Sequence, residues 1–150
     1  MTKNMTYNNL EFELIYECEY SKLYYNYELM MAICLAEQEY IPISNFKTMF
    51  LKVSDLIETF PIKHLIFDKR NLRTFHQPSM EWYFAIWKPI VKEKGLVSHY
   101  KILPELDWFE KAVEAGKHEI IKKYGKEILN GLNIFYVKSI EEAIENVNKN

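Results

Sequence analysis

From Leu10 to Tyr20 the sequence LEFELIYECEY alternates, with Phe12, Leu14, Tyr16, Cys18 and Tyr20 on one face and Glu11, Glu13, Glu17 and Glu19 on the other. That period of two is the pattern of a half-buried strand. Tyr24 to Tyr27 continue in β-prone residues, a turn is expected around Glu28, and Met30 to Ala36 reads as a more deeply buried strand joined as a hairpin. Ser44 can then N-cap a helix in which Phe46, Met49, Phe50, Val53, Leu56, Ile57 and Phe60 recur at three- and four-residue steps until Pro61 stops it.

His64 to Phe67 is a short apolar run ending in Asp68, as expected of a parallel strand covered on both faces. After the polar loop DKRNLRTFHQP, Ser79 is placed to cap a helix carrying Trp82, Tyr83, Ile86, Ile90 and Val91 and finishing at Gly95, with Pro89 inside it forcing a kink or an early end. Leu96 to Leu103 reads as a further strand, and Pro104 opens a helical region expected to be interrupted near Gly116. Leu132 to Val137 is the last strand, and Ser139 with Glu142 forms a capping box for a closing helix. The order β-β-α-β-α-β-α-β-α predicts an α/β protein, a mainly parallel mixed sheet of about five strands opening with a hairpin. One domain spanning residues 1–150 is the expectation.

Composition narrows the setting. A charge of −2 argues against duplex nucleic acid or an anionic membrane as partner. Cys18 and Cys34 are too few for a disulfide scaffold and read as small core hydrophobes. The longest apolar run, Leu29 to Ala36, is far short of the roughly 20 residues that span a bilayer, and the N-terminal residues do not read as a secretory signal. A cytoplasmic location follows as the expectation.

Several stretches resemble the STAS-like superfamily of sulfate transporters and anti-sigma-factor antagonists, and more closely its small stand-alone bacterial members. They are YYNYELMMAICLAE as the opening hairpin, IPISNFKTMFLKVSDLIE as the first helix, HLIFDKRNL at the next strand's end, MEWYFAIWKPIVKEKGL as the second helix and FYVKSIEEAIENV at the close. The resemblance implies an interaction module without catalysis. In the antagonists, the loop after the third strand carries an Asp-Ser-Ser-Gly-like motif whose serine is phosphorylated. Here His76 and Gln77 fall where that aspartate and serine would lie, and no glycine follows. The nearest hydroxyls are Thr74 and Ser79, so no phosphorylation is expected there.

The candidate polar site is Asp68, Arg70, Asn71 and Arg73, past the carboxyl end of a parallel strand where open α/β sheets place ligands. Arginine offers a planar fork to carboxylate or phosphate; the alternative is that Asp68 and Arg70 pair to shape the loop. His64, His76, His99 and His118 lack metal-site spacing, and neither a metal nor a cofactor is expected. Cys34, His64 or His99 could meet in space as a nucleophile and base. The second helix shows more apolar surface than one core stripe needs. Trp82 and Trp87 are therefore candidate binding residues, with Trp87 as the anchor of a twofold homodimer. Three functions remain open: a non-enzymatic regulatory or protein-interaction domain, a binder of a small apolar or amphipathic ligand, and an enzyme without a recognisable motif.

Overall fold

The computed structural model describes residues 4–131 and 133–149. The alternating N-terminal stretch forms β2 (Leu10–Glu17), with Phe12 buried and the glutamates facing out. It is preceded by β1 (Met5–Tyr7), which returns through Asn8 and Asn9, both at positive φ (50° and 65°), as a two-residue hairpin turn requires. The chain then reverses twice more before the first helix. Strand β3 (Ser21–Asn26) lies between β2 and β4 (Met31–Ala36), so the anticipated single hairpin is a four-stranded antiparallel meander. The sequence hid β3 because Leu23, Tyr24, Tyr25 and Asn26 are all buried, which removes the polar alternation that marks a strand.

From β4 onward the pairing is parallel: β5 (His64–Asp68), β6 (Ser98–Ile102) and β7 (Asn133–Tyr136) add in turn, and spatial order equals chain order across seven strands. The class is the α/β mixed sheet expected, with seven strands in place of about five. Leu132, taken as the start of the last strand, lies outside the described residues.

Every parallel step goes the same way, so right-handed crossovers place all the connecting helices on one face. These are α1 (Ile43–Thr59), then α2 (Gln77–Trp82) running through a π turn (Tyr83–Trp87) into α3 (Lys88–Glu93), and α4 (Asp107–Tyr124). They cover Leu23, Ala32, Cys34, Leu65 and Phe67. The opposite face, with Met31, Ile33, Ile66, Tyr100 and Ile102, is covered by α5 (Ile140–Lys149) through Ile140, Ala143 and Ile144. Ser139 Oγ accepts from Glu142 N at 3.1 Å and Glu142 accepts from Lys138 N at 2.7 Å, the anticipated cap of α5.

Four local expectations are corrected. Helix α1 begins at Ile43 after Pro42, without the side-chain cap assigned to Ser44. His76, not Ser79, caps α2: its Nδ1 accepts from Ser79 N at 3.3 Å. Of the kink or early end expected at Pro89, the early end does not occur: the helical segment runs on to Glu93. The ladder widens to a π turn just before Pro89, where Lys88 N donates to Tyr83 O, because a proline ring clashes with the carbonyl four residues back in a regular helix. Finally, α4 is continuous through Gly116, which is buried where α4 meets the start of α2. A Cβ there would lie 2.6 Å from Gln77 Oε1 and 2.7 Å from the Phe75 ring. The glycine serves close approach, not a break.

Candidate functional site

The loop leaving β5 holds the polar residues singled out above, and their hydrogen bonds run within the loop and to the end of β4. Asp68 is buried and takes a bidentate ion pair from Arg70, with Nη2–Oδ2 2.7 Å and Nε–Oδ1 3.0 Å, while also accepting from Arg70 N at 3.1 Å. Asn71 Nδ2 donates to Ala36 O at 2.9 Å. Arg73 Nη1 donates to Arg70 O at 2.8 Å and Leu72 O at 2.7 Å. Arg70 and Arg73 remain exposed at their outer edges.

The loop roofs a cavity of about 60 Å³ between the carboxyl ends of β5 and β6 and the start of α2. Its walls are largely aromatic: Phe46 from α1, Phe67 from β5, Phe75 from the loop, Phe84 from the π turn and Phe109 from α4. Tyr40 and His76, whose rings meet edge to face at 6.4 Å, also contribute. Into this apolar setting project Lys69, Lys101 and Tyr83.

Their placement follows from the register. In β6 the residues Tyr100 and Ile102 face α5, so His99 and Lys101, which alternate with them, point toward the helical layer. Lys101 Nζ lies 3.9 Å from the Tyr83 ring centroid and 5.1 Å from that of Phe84. Lys88, projecting inward from α3, is fully buried and donates to His99 Nδ1. Among the described residues, the Tyr83 hydroxyl and His99 Nε2 are buried without a hydrogen-bond partner.

Electrostatics here is one-sided, because among the described residues no carboxylate pairs with Lys69, Lys88 or Lys101. Burial, and then the neighbouring Lys88 and Lys69, hold the Lys101 amine well below the usual lysine range. Burial followed by Lys69 does the same to Lys88. Lys69 is lowered to about 8 by burial and by Lys117. His99 is driven down by burial and by Lys88 and Lys101, which keeps it neutral. Burial raises the Tyr83 hydroxyl and the Cys34 thiol, so neither supplies an anion. The cavity thus offers donors and latent positive charge with nothing to neutralise them.

Other sequence candidates disperse. His64 pairs with Ser98 at 2.5 Å at the amino ends of β5 and β6, whereas Cys34 lies deep in the sheet and His99 is held by Lys88. Among the described residues no cluster of three or more metal-ligating side chains occurs. Ser79 is buried with its hydroxyl 2.8 Å from His76 Nδ1.

Trp82 is half-buried, edge-on to Phe46 at 6.2 Å and beneath Lys47. Trp87 overturns its assignment as a surface anchor: it is fully buried, stacked on Tyr83 at 5.2 Å. The inward stripe of this helical segment is Tyr83, Phe84, Trp87, Lys88 and Val91, which leaves Ile86 and Ile90 outside.

Lys101 on its strand and Lys88 on its helix were missed because lysine reads as solvent-facing, and Tyr83 because it reads as one apolar residue of the helical stripe. The signal was present all the same. Tyr100 and Ile102 belong to one face of a parallel strand covered by helices on both sides, which forces His99 and Lys101 into the other layer.

A search of solved structures finds the anti-sigma-factor antagonist SpoIIAA in its unphosphorylated form at a TM-score of 0.52, with 13% identity over 93% of this chain and 97% of that one. The fold is STAS-like. The nuclease MPE of Pseudomonas putida matches at a TM-score of 0.49 and 9% identity, over 91% of this chain and 60% of that one. No family model and no curated protein matches the sequence. Among the described residues, no helix is long and apolar enough to cross a membrane.

Proposed function

We propose that this chain is a non-enzymatic regulatory domain of a bacterial cytoplasm that acts by docking on a protein partner. The observation that supports it is the STAS-like fold, shared with an anti-sigma-factor antagonist over nearly the whole of both chains. The docking surface in this reading is the loop from β5 to α2, where Arg70 and Arg73 are exposed and Trp82 half-buried. A photo-crosslinker at Arg73 is expected to capture one discrete partner in the producing cells, while the same group at Glu145, on α5 across the sheet, does not. Equal capture at both positions, or none at Arg73, would count against the reading. Twofold self-association belongs to the same proposal, now carried by Ile86 and Ile90, which are 51% and 45% exposed.

A second reading, a binder of a small apolar or amphipathic ligand, is favoured by the aromatic cavity beneath that loop.

A further inference from the structure

We propose that the cavity is a site for a small organic carboxylate, whose head group lies between the Lys101 and Lys69 amines and the Tyr83 hydroxyl and whose apolar body lies on Phe46, Phe75 and Phe109. The inference rests on the ligand-binding reading and names the ligand's chemistry.

Three features of the site lead there. First, the Tyr83 hydroxyl is a buried donor without an acceptor among the described residues, a costly arrangement in a folded protein unless something else accepts from it. Second, the amines that reach the cavity meet rings in place of carboxylates: Lys101 Nζ is 3.9 Å from the Tyr83 ring and Lys69 Nζ is 5.2 Å from that of Phe67. An incoming anion would be the counter-ion the cluster lacks, and its hydrogen bonds to these donors would be charge-assisted in a poorly screened site. Third, about 60 Å³ of largely aromatic cavity suits a carboxylate joined to a few carbons, since an apolar cavity of about 150 Å³ holds a benzene ring. A fully hydrated inorganic phosphate would leave its oxygens against phenyl rings.

Binding is coupled to protonation. Lys101 is faced by Lys88 on α3, Lys69 at the end of β5, Lys117 on α4, Cys34 on β4 and Tyr83 on the π turn, with His99 two residues away on its own strand and His76 at the cavity wall. None of these is an anion near neutral pH. A bound carboxylate would therefore favour the charged amine and raise Lys101 back toward its ordinary range, so protons would pass from solvent to Lys101 Nζ as the ligand enters. Affinity should consequently fall as pH rises.

The test is calorimetric titration of the full chain with acetate, propionate and butyrate, each a carboxylate on a few carbons, against the matched neutral amides. It is run in two non-carboxylate buffers of different ionisation heat. Expected are saturable carboxylate binding, net proton uptake on binding, and weaker binding of the amides. Lys101→Met should lose about tenfold or more in carboxylate affinity while leaving the amides nearly unchanged. Tyr83→Phe, which removes only the hydroxyl, should shift affinity the same way and covers the case of an unfolded lysine variant. Equal binding of carboxylates and amides without proton uptake would overturn the carboxylate assignment and leave the broader ligand reading standing. Inorganic phosphate binding as tightly as the organic acids would also overturn it. Absence of binding by every probe would overturn both.

Discussion

The indole N–H of Trp87 donates to Ser54 Oγ at 2.7 Å and shares its proton with the Phe50 carbonyl at 2.9 Å. Both acceptors belong to α1, so this side chain joins the π turn to α1 beneath the solvent-exposed surface. Phe50 meets its ring edge to face at 4.9 Å. Trp87→Ala is expected to cost about 3–5 kcal/mol of folding stability through the cavity it leaves, measured by urea unfolding. Its sedimentation at equal concentration should match the parent under folding conditions, since the residue reaches no surface.

Self-association, if carried by the outer side of the same helical segment, depends on Ile86 and Ile90. Ile86→Asp with Ile90→Asp should leave unfolding within about 0.5 kcal/mol, as surface changes do, and convert a sedimenting dimer to monomer. A parent chain that is monomeric at tens of micromolar would remove the dimer from the account.

Gly116→Ala tests the contact between α4 and the start of α2. Alanine gains about 1 kcal/mol of helix propensity, but its methyl would meet Gln77 Oε1 at 2.6 Å, the Phe75 ring at 2.7 Å and Met80 Sδ at 2.9 Å. Overpacking typically costs about 1–3 kcal/mol, so a net loss of about 1 kcal/mol is expected by urea unfolding. Because Phe75 lines the cavity, the same variant should also weaken carboxylate binding. A more stable variant with unchanged binding would mean that the helices are further apart.

These contacts show which parts of the molecule the sequence announces. Alternation in β2, the three- and four-residue recurrence in α1 and the capping of α5 by Ser139 and Glu142 are local patterns, and each appears where expected. Strand β3 is not announced, because its two faces are both covered and its turn at Cys18 to Ser21 lacks glycine and proline. The outer and inner sides of the second helical segment were exchanged at Ile86 and Trp87 for a different reason. Four large apolar types compete for one inward stripe there, and only packing against Phe50 and Tyr83 decides between them. Asp68 and Arg70 were legible as a pair, whereas the amine cluster behind them depends on which layer β6 turns Lys101 toward.

The most direct measurement is the pH dependence of stability in the parent chain and in Lys101→Met. An amine whose pKa is lower when folded than when unfolded leaves the unfolded chain holding more protons between the two values. Stability then rises with pH through that window, by up to about 1.4 kcal/mol per pH unit for each such amine. Lys101 and Lys88 are both lowered, so the parent should gain stability as pH rises toward the ordinary lysine value of 10.5. Above the ordinary thiol value of 9.0 the buried Cys34 opposes the trend, because burial raises it. Replacing a buried, unpaired amine by a thioether of similar volume is expected to leave the protein as stable or more stable near pH 7. It should also remove about one proton's share of the upward slope. A variant less stable by more than about 1 kcal/mol at pH 7 with the slope intact would contradict the uncompensated amine cavity on which the ligand assignment stands.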